Sequence, residues 1–476
     1  MKELLLLSGS DLAAKIRRRE VSSLDVVEAH VRHIERVNPT LNAMVQTRFD
    51  EARAEAREAD RALAAGRTDL PPFHGVPCSI KEAFAVRGMP NTSGLVSRKG
   101  RLAKEDAITV ARLRAAGAIV LGVTNVSELC MWMESNNRVY GRSNNPYDET
   151  RTVGGSSGGE GAIVGVGGAP FGLGSDIGGS IRMPAFFNGV FGHKPTGGLV
   201  PNAGQHPSAT SGVEEYVCTG PITRRAEDLY PLLHALVGDD PRGARLRDPA
   251  EVDLRSLTVH CVEDDGRGPV DPELVQAQER AASALEKRGA TVRKATIPDF
   301  KHALEIWGSM LGEAGGPSFA ELMGEGTPVA AGRELVRFLL GRSDHTLPAI
   351  GLALFEKLPA LLGEKHTARF ASLGRKLRGE VVDMLGPNGV LLYPPHPLPA
   401  PRHNGPLLSP FRWVYTAIFN VLALPVTAVP MGLSRYGLPL GVQVASVHHN
   451  DHVTLAVARE LERVTGGWLP PARWLS

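Results

Sequence analysis

Apolar and polar positions fall into two alternating regimes along the chain. Residues 9 to 66 keep helical spacing. Ser10 and Asp11 stand where they can cap a first helix. Ser23 begins a second, whose Val26, Val27, Ala29, His30 and Ile34 fall on one side, and Pro39 is expected to stop it. DEARAEAREADRALAAG, charged and alanine-rich, predicts a third helix ending at Gly66, with its charges on a solvated face. Beyond it come short, continuous apolar runs bounded by turn residues. These are Val76 to Ile80, AIVLGV, APFGLGS, LTVHCV, VLLYP, LPVTAVP and LPLGVQVAS. Runs this short read as buried strands. Between them lie helical stretches: DAITVARLRAAG with Asp106 as its cap, residues 225 to 237, DPELVQAQERAASALEKRG closed by Gly289 and followed by a strand in ATVRKATI, and DHVTLAVARELERV. Helices and buried strands interleave without a long linker, which predicts α/β layering in one domain over residues 1–476. Residues 1–70 form its helical N-terminal region.

Residues 301–385 differ in character. ELVRFLLGRSDHTLPAIGLALFEKLPALLGEKH is apolar, interrupted by Gly341, Pro348 and Pro359, and carries Arg337, Arg342, Lys357 and Lys365. It is expected to be a helical insertion packed on the body, with a lid or membrane-touching cap as the alternative for residues 333–362. The chain is 42% apolar, with 53 basic and 51 acidic residues. So even a balance gives no field for a polyanion, and no nucleic-acid partner is expected. Cys78, Cys130, Cys218 and Cys261 are widely spaced and form no CxxC pair, which favours free thiols in a reducing cytoplasm and no metal site. The four leucines after Met1 are too few for a signal peptide, and no run of 18 apolar residues occurs. A cytoplasmic protein is expected; peripheral membrane contact and a homodimer stay open.

The chemistry concentrates in GGSSGGEGAIVGVGGAPFGLGSDIGGSIR, residues 154 to 182. Glycines at this density free the backbone to approach other groups closely and to present N–H groups to a developing oxyanion. Serines among those amides are candidate nucleophiles. The stretch holds no histidine and no basic residue before Arg182, so a base must come from elsewhere. Several motifs compete. Gly155-Ser156-Ser157-Gly158-Gly159 fits G-x-S-x-G, but the polar NNPYDETRTV before it does not read as the strand that a nucleophile elbow requires. No G-K-[ST] is present, the glycines miss the GxGxxG spacing, and no serine has a lysine three residues on. Lys81 leaves an apolar strand, where it is either a surface lysine or a desolvated amine neutral at working pH. Cys130, Met131, Trp132 and Met133 follow the end of the AIVLGV strand, where α/β proteins place ligands, and are read as core packing or pocket lining. Spacing alone cannot bring Lys81, Ser156 and Ser180 together.

HGVPCSIKE, GGSSGGEGA followed by GSDIGGSIRMPA, GHKPTGG, CTGPITR and FNVLALPVTAVPMGL with GLPLGVQV occur in this order. Together they resemble the amidase signature family over almost the whole chain. VTNVSELCMWMESNNRVYGRSNNPYD and SIRMPAFFNGVFGHKPT resemble, within it, the fatty-acid amide hydrolases, particularly the type-two enzyme. The resemblance implies an α/β/α sandwich, a mixed central sheet covered by helices on both faces. It implies a serine amidohydrolase that forms an acyl-enzyme on Ser180. Ser156, on a cis peptide bond, bridges to Lys81, the general base. The N–H groups of Ile177, Gly178, Gly179 and Ser180 form an oxyanion hole, and Ser157, Asp176 and Arg182 support it. Cys130, Met131 and Trp132 would contact a small-molecule amide of an apolar acid, and no cofactor is implied. Relatives that use glutamine to amidate tRNA carry Asp-Gln before GPITR, where this chain has Tyr216, Val217, Cys218 and Thr219. A glutamine-hydrolysing amidotransferase component is therefore the second expectation, and a binding module that kept the fold a third.

Overall fold

The computed structural model describes residues 2–209, 211–356 and 363–475. Its centre is an 11-stranded mixed sheet. The strands are β1 (Met44–Thr47), β2 (Val76–Lys81), β3 (Ala118–Thr124), β4 (Asn136–Asn137), β5 (Gly141–Arg142), β6 (Phe171–Asp176), β7 (Phe191–Lys194), β8 (Cys218–Thr223), β9 (Thr258–Cys261), β10 (Thr291–Lys294), β11 (Gly389–Tyr393), β12 (Val426–Leu433) and β13 (Pro439–Ser446). The sheet order is β1-β3-β2-β6-β8-β7-β12-β13-β11-β9-β10, and β4 with β5 makes a separate ribbon. β2 is parallel to both β3 and β6, while β6 and β8 run antiparallel, pairing Asp176 with Cys218. Every residue of β2, β3, β6 and β8 is buried, as central strands covered by helices on both faces are.

Helices flank both faces, and β3 shows it residue by residue. Successive side chains of a strand point to opposite faces. Ala118 and Val120 belong to one apolar cluster, with Phe171 and Leu229, whereas Ile119 and Leu121 belong to another. That second cluster includes Val27, Ile34 and Ala52 of the helices Ser23–Leu41 and Phe49–Ala64, and Ala162 and Ile163 of the helix Gly158–Gly165. The α/β expectation and the seven strands read from apolar runs are thus present.

Several local expectations are not. The first helix, Gly9–Arg17, is capped by Ser8, whose side chain accepts from the Asp11 N–H; Ser10 instead donates to Asp228. The second helix runs through Pro39 to Leu41. Proline removes one N–H in its last turn only, and Asn42, in the left-handed conformation, ends it by donating to the Asn38 carbonyl. Asp106 does not cap the helix Ile108–Ala115; it accepts the Arg87 N–H and pairs with Arg114. The region 301–385 is helical: Ala303–Ala314, Phe319–Met323, Ala331–Leu339, Leu347–Phe355 and Glu364–Leu385. Of the apolar segment 333–362, residues 357–362 lie outside the described residues. No described helix is long and apolar enough to cross a membrane.

Candidate active site

Strands β2 and β6 end side by side, and their ends build the site. Lys81 closes β2. Its place at the end of a fully buried strand carries the amine completely out of solvent. There Nζ lies 2.6 Å from Ser156 Oγ, 3.0 Å from Ser175 Oγ and 3.4 Å from the Ser175 carbonyl. These contacts fit both protonation states. An ammonium has three N–H groups for three oxygens. A neutral amine keeps two for Ser175 and offers its lone pair to the Ser156 O–H. Burial pushes the Lys81 pKa down, against the weaker pull of Cys130 and Asp176. Glu160, one helix behind, does not restore the charge. Burial raises its pKa to about 8 although Ser79 and Thr124 donate to its oxygens. The neutral reading of Lys81 thus has a physical basis.

Ser156 and Ser157 sit at the head of the helix Gly158–Gly165, and the Gly155–Ser156 peptide is cis. Gly155 leaves no room for a side chain: a Cβ there would lie 2.2 Å from the Trp132 carbonyl oxygen. Ser157 N–H donates to the Ser180 carbonyl at 3.2 Å, and its hydroxyl donates to the Ser175 carbonyl at 3.3 Å. The two serine segments are therefore tied together on top of the lysine. From Thr152 to Thr196 every residue is buried except Ile177 and Gly178, so the site opens to solvent at the loop that carries Ser180.

That loop is set by its carbonyls. Those of Asp176, Ile177, Gly178 and Gly179 accept from Asn420 Nδ2 (2.9 Å), Trp307 Nε1 (2.9 Å), Thr416 Oγ1 (2.8 Å) and Met183 N–H (2.8 Å). In a trans peptide the next N–H points the opposite way. The N–H groups of Ile177, Gly178 and Ser180 are left without a partner among the described residues. Gly179 departs from the expectation that it lines the oxyanion hole: its N–H donates to Asp176 Oδ1 at 2.7 Å. The Asp176 carboxylate turns that amide inward.

Asp176 and Arg182 form an ion pair beneath the loop. Both are fully buried, joined by Arg182 Nη2–Asp176 Oδ1 at 2.9 Å and Nε–Oδ2 at 3.0 Å. Arg182 also donates to Asn420, Gln443 and the Thr416 carbonyl. Burial alone would raise the Asp176 pKa, but the guanidinium and the Ile181 N–H hold it well below the usual carboxylate range. Cys130, Met131 and Trp132 are half-buried. Cys130 acts electrostatically on Lys81, Met131 packs on the apolar cluster that holds Leu129 together with Phe319 and Ile350 of the insertion, and Trp132 packs on the main core. No group of three or more His, Cys, Asp or Glu among the described residues is placed to hold a metal ion.

Sequence reasoning missed Ser175, Trp307, Thr416, Asn420 and Gln443 as parts of this site. Ser175 stood in the glycine-rich stretch and could have been found; the others reach it from 130 to 261 positions away.

The sequence profile of the Amidase family matches residues 25–455. The chain is 47% identical over 488 positions to Fatty-acid amide hydrolase 2 of Homo sapiens, covering 99% of this chain and 91% of that protein. It is 31% identical over 476 positions to a Glutamyl-tRNA(Gln) amidotransferase subunit of Geobacillus stearothermophilus, covering 96% and 97%. The X-ray structure of native peptide amidase from Stenotrophomonas maltophilia is similar with a TM-score of 0.78 at 26% identity, covering 98% of each chain. A buried lysine on a serine, beside a glycine loop with free amides, occurs here in a chain matched to these proteins along almost its whole length, and the chain belongs to the amidase family of amide-hydrolysing enzymes.

Proposed function

We propose that this amide hydrolase cleaves carboxamides of apolar acids through an acyl-enzyme on Ser180. The observation that carries the reading is the 2.6 Å contact between Lys81 Nζ and Ser156 Oγ in a solvent-free pocket, joined to the Ser180 loop through Ser157. Neutral Lys81 takes the Ser156 proton while Ser156 takes that of Ser180. Ser180 Oγ bonds to the acyl carbon, and the carbonyl electron pair moves onto oxygen, held by the N–H groups of Ile177, Gly178 and Ser180. Collapse breaks the C–N bond, and the amine leaves with a proton returned from Lys81 through Ser156. Water then attacks the ester along the same proton path, with Ser180 as the leaving group.

The apolar acyl group is supported by the half-buried Trp413, whose ring lies 3.2 Å from where a Cβ on Gly178 would stand, at the open end of the loop. It is also supported by exposed Val336, Leu339, Leu340, Leu407, Leu408 and Phe411 on and beside the insertion. The rings of Phe355 and Phe411, 5.7 Å apart, join these two apolar segments. Arg333, Arg337 and Arg342 lie in the same region, so the surface suits a peripheral contact with lipid, from which an apolar amide would enter. In this reading the whole chain is one catalytic unit with residues 301–385 as its cap.

The test is a hydrolysis panel of short-chain, aromatic and long-chain acyl amides, with Ser180→Ala as the blank. Preference for the long and aromatic acyl groups supports the proposal; preference for short polar amides rejects the substrate class. The amidotransferase relative motivates a second reading, as the glutamine-hydrolysing component of such an enzyme. It is less well supported than the fatty-acid amide hydrolase likeness, and it requires glutaminase activity that rises when partner proteins are added.

A further inference from the structure

The helical insertion contributes to the oxyanion loop directly. Four carbonyls fix that loop, and three of their donors come from the body: Asn420 and Thr416 on the helix Val414–Val421, and Met183 beside the nucleophile. The fourth is Trp307, on the insertion's first helix Ala303–Ala314, whose indole N–H donates to the Ile177 carbonyl at 2.9 Å. This bond governs one particular amide. The Ile177–Gly178 peptide is trans, so holding its oxygen toward Trp307 aims the Gly178 N–H the other way. Gly178 is one of the two residues through which the buried segment opens to solvent, and its N–H has no other partner among the described residues.

The indole is itself held. It meets the ring of Trp413 edge-on, with centroids 4.7 Å apart, and a Cβ added to Gly178 would lie 3.2 Å from that second indole. Its helix is seated against the helix Glu364–Leu385 at Gly374, where an added Cβ would lie 2.3 Å from Met310 Sδ and 2.7 Å from Ile306 Cγ2. A helix packed that closely cannot move the indole far without losing the contact.

We propose that Trp307 is a positioning residue for amide hydrolysis. Its indole N–H sets the Gly178 amide as an oxyanion donor and so makes the hydrolytic step depend on the docked insertion. This rests on the reading of Ser180 as the nucleophile and of the loop amides as its oxyanion hole. Trp307 acts through one peptide plane, by the bond from its indole N–H to the Ile177 carbonyl.

Trp307→Phe keeps a ring against Trp413 and removes only the N–H. On a fixed amide substrate kcat is expected to fall about 10- to 100-fold, up to the loss seen when an oxyanion donor is removed outright, with KM within about threefold. A trifluoromethyl ketone carrying the same acyl chain forms a tetrahedral adduct, and its inhibition constant is expected to weaken by the same factor as kcat/KM. A kcat within twofold of the parent overturns the proposal. So does a fall in kcat with the ketone's affinity unchanged, because a general structural defect need not follow the oxyanion. Fluorophosphonate labelling of the parent and of Ser180→Ala separates the two levels. If Ser180→Ala labels like the parent, the nucleophile reading fails; if it does not label and Trp307→Phe keeps its kcat, only the role of Trp307 fails.

Discussion

Removing the Lys81 amine separates the two proton transfers that amide hydrolysis requires. Lys81→Ala deletes a fully buried nitrogen with oxygens at 2.6, 3.0 and 3.4 Å. On the proposed path an amide needs the base step, to activate Ser180, and then the acid step, to protonate a poor leaving group. An ester of the same acid needs chiefly the first. General acid or base catalysis is worth about 10²–10⁴-fold per step. Amide kcat/KM is therefore expected to fall by about 10⁴ and ester kcat/KM by about 10². The amide-to-ester ratio then shifts about 100-fold, or about 2.7 kcal/mol of selective transition-state stabilisation. Matched amide and ester chromogenic substrates give both constants from one preparation, and a thermal melt shows that the fold is retained. Equal losses on the two substrates would refute the acid role and, with it, the two-way proton path.

The other expectations concern the brace, the buried imidazoles and the free thiol. Asp176→Asn leaves the buried Arg182 guanidinium without its counter-charge and should cost about 3–5 kcal/mol in denaturant unfolding; a loss below about 1 kcal/mol would contradict the brace. Burial pulls the pKa of His30 down to about 3 and those of His33, His206, His396, His448 and His452 to about 4. The unfolded chain protonates all of these near pH 6.5, so it binds more protons and stability falls as pH drops from about 6.5 toward 4. Glu160, Asp228 and Glu462, raised by burial to about 8, 6 and 7, keep protons in the fold and oppose this, but they are fewer. Each net proton costs about 1.4 kcal/mol per pH unit, and urea unfolding that is as stable at pH 5 as at pH 7 would contradict the balance. Iodoacetamide should inactivate through Cys130, which is half-buried beside Lys81, whereas Cys78 and Cys218 are buried and burial raises the Cys261 thiol to about 11. Cys130→Ser losing activity to the reagent as fast as the parent would show otherwise.

How far the sequence could be read depended on what each element needed from distant parts. β2, β3, β6, β9, β11, β12 and β13 were visible as short, largely apolar runs, the mark of strands covered on both faces, and β10 as the strand that follows Gly289. β1, only four residues long, stood among helices and is a strand because it pairs antiparallel with β3. FGHK and CTGPIT carry glycine, lysine and proline. They are strands because each has neighbours on both sides and because Lys194 finds the Pro195 carbonyl inside the core. The grouping of Lys81, Ser156 and Ser180 came from motif resemblance, not from spacing. The aim of the loop amides was hidden, since Trp307, Thr416 and Asn420 orient them from helices far along the chain. The inward turn of the Gly179 N–H was hidden too, because it depends on which rotamer Asp176 adopts against Arg182.

Acylation of Ser180 is read directly by mass spectrometry. Reaction with an apolar acyl amide under acid quench, or with a fluorophosphonate, followed by trypsin releases Thr152–Arg182, which contains Ser156, Ser157, Ser175 and Ser180. Fragmentation of that peptide is expected to place the added mass on Ser180, and Lys81→Ala is expected to slow its appearance on the amide. Mass on Ser157, or on no serine of the peptide while amide is being turned over, would contradict Ser180 as the nucleophile.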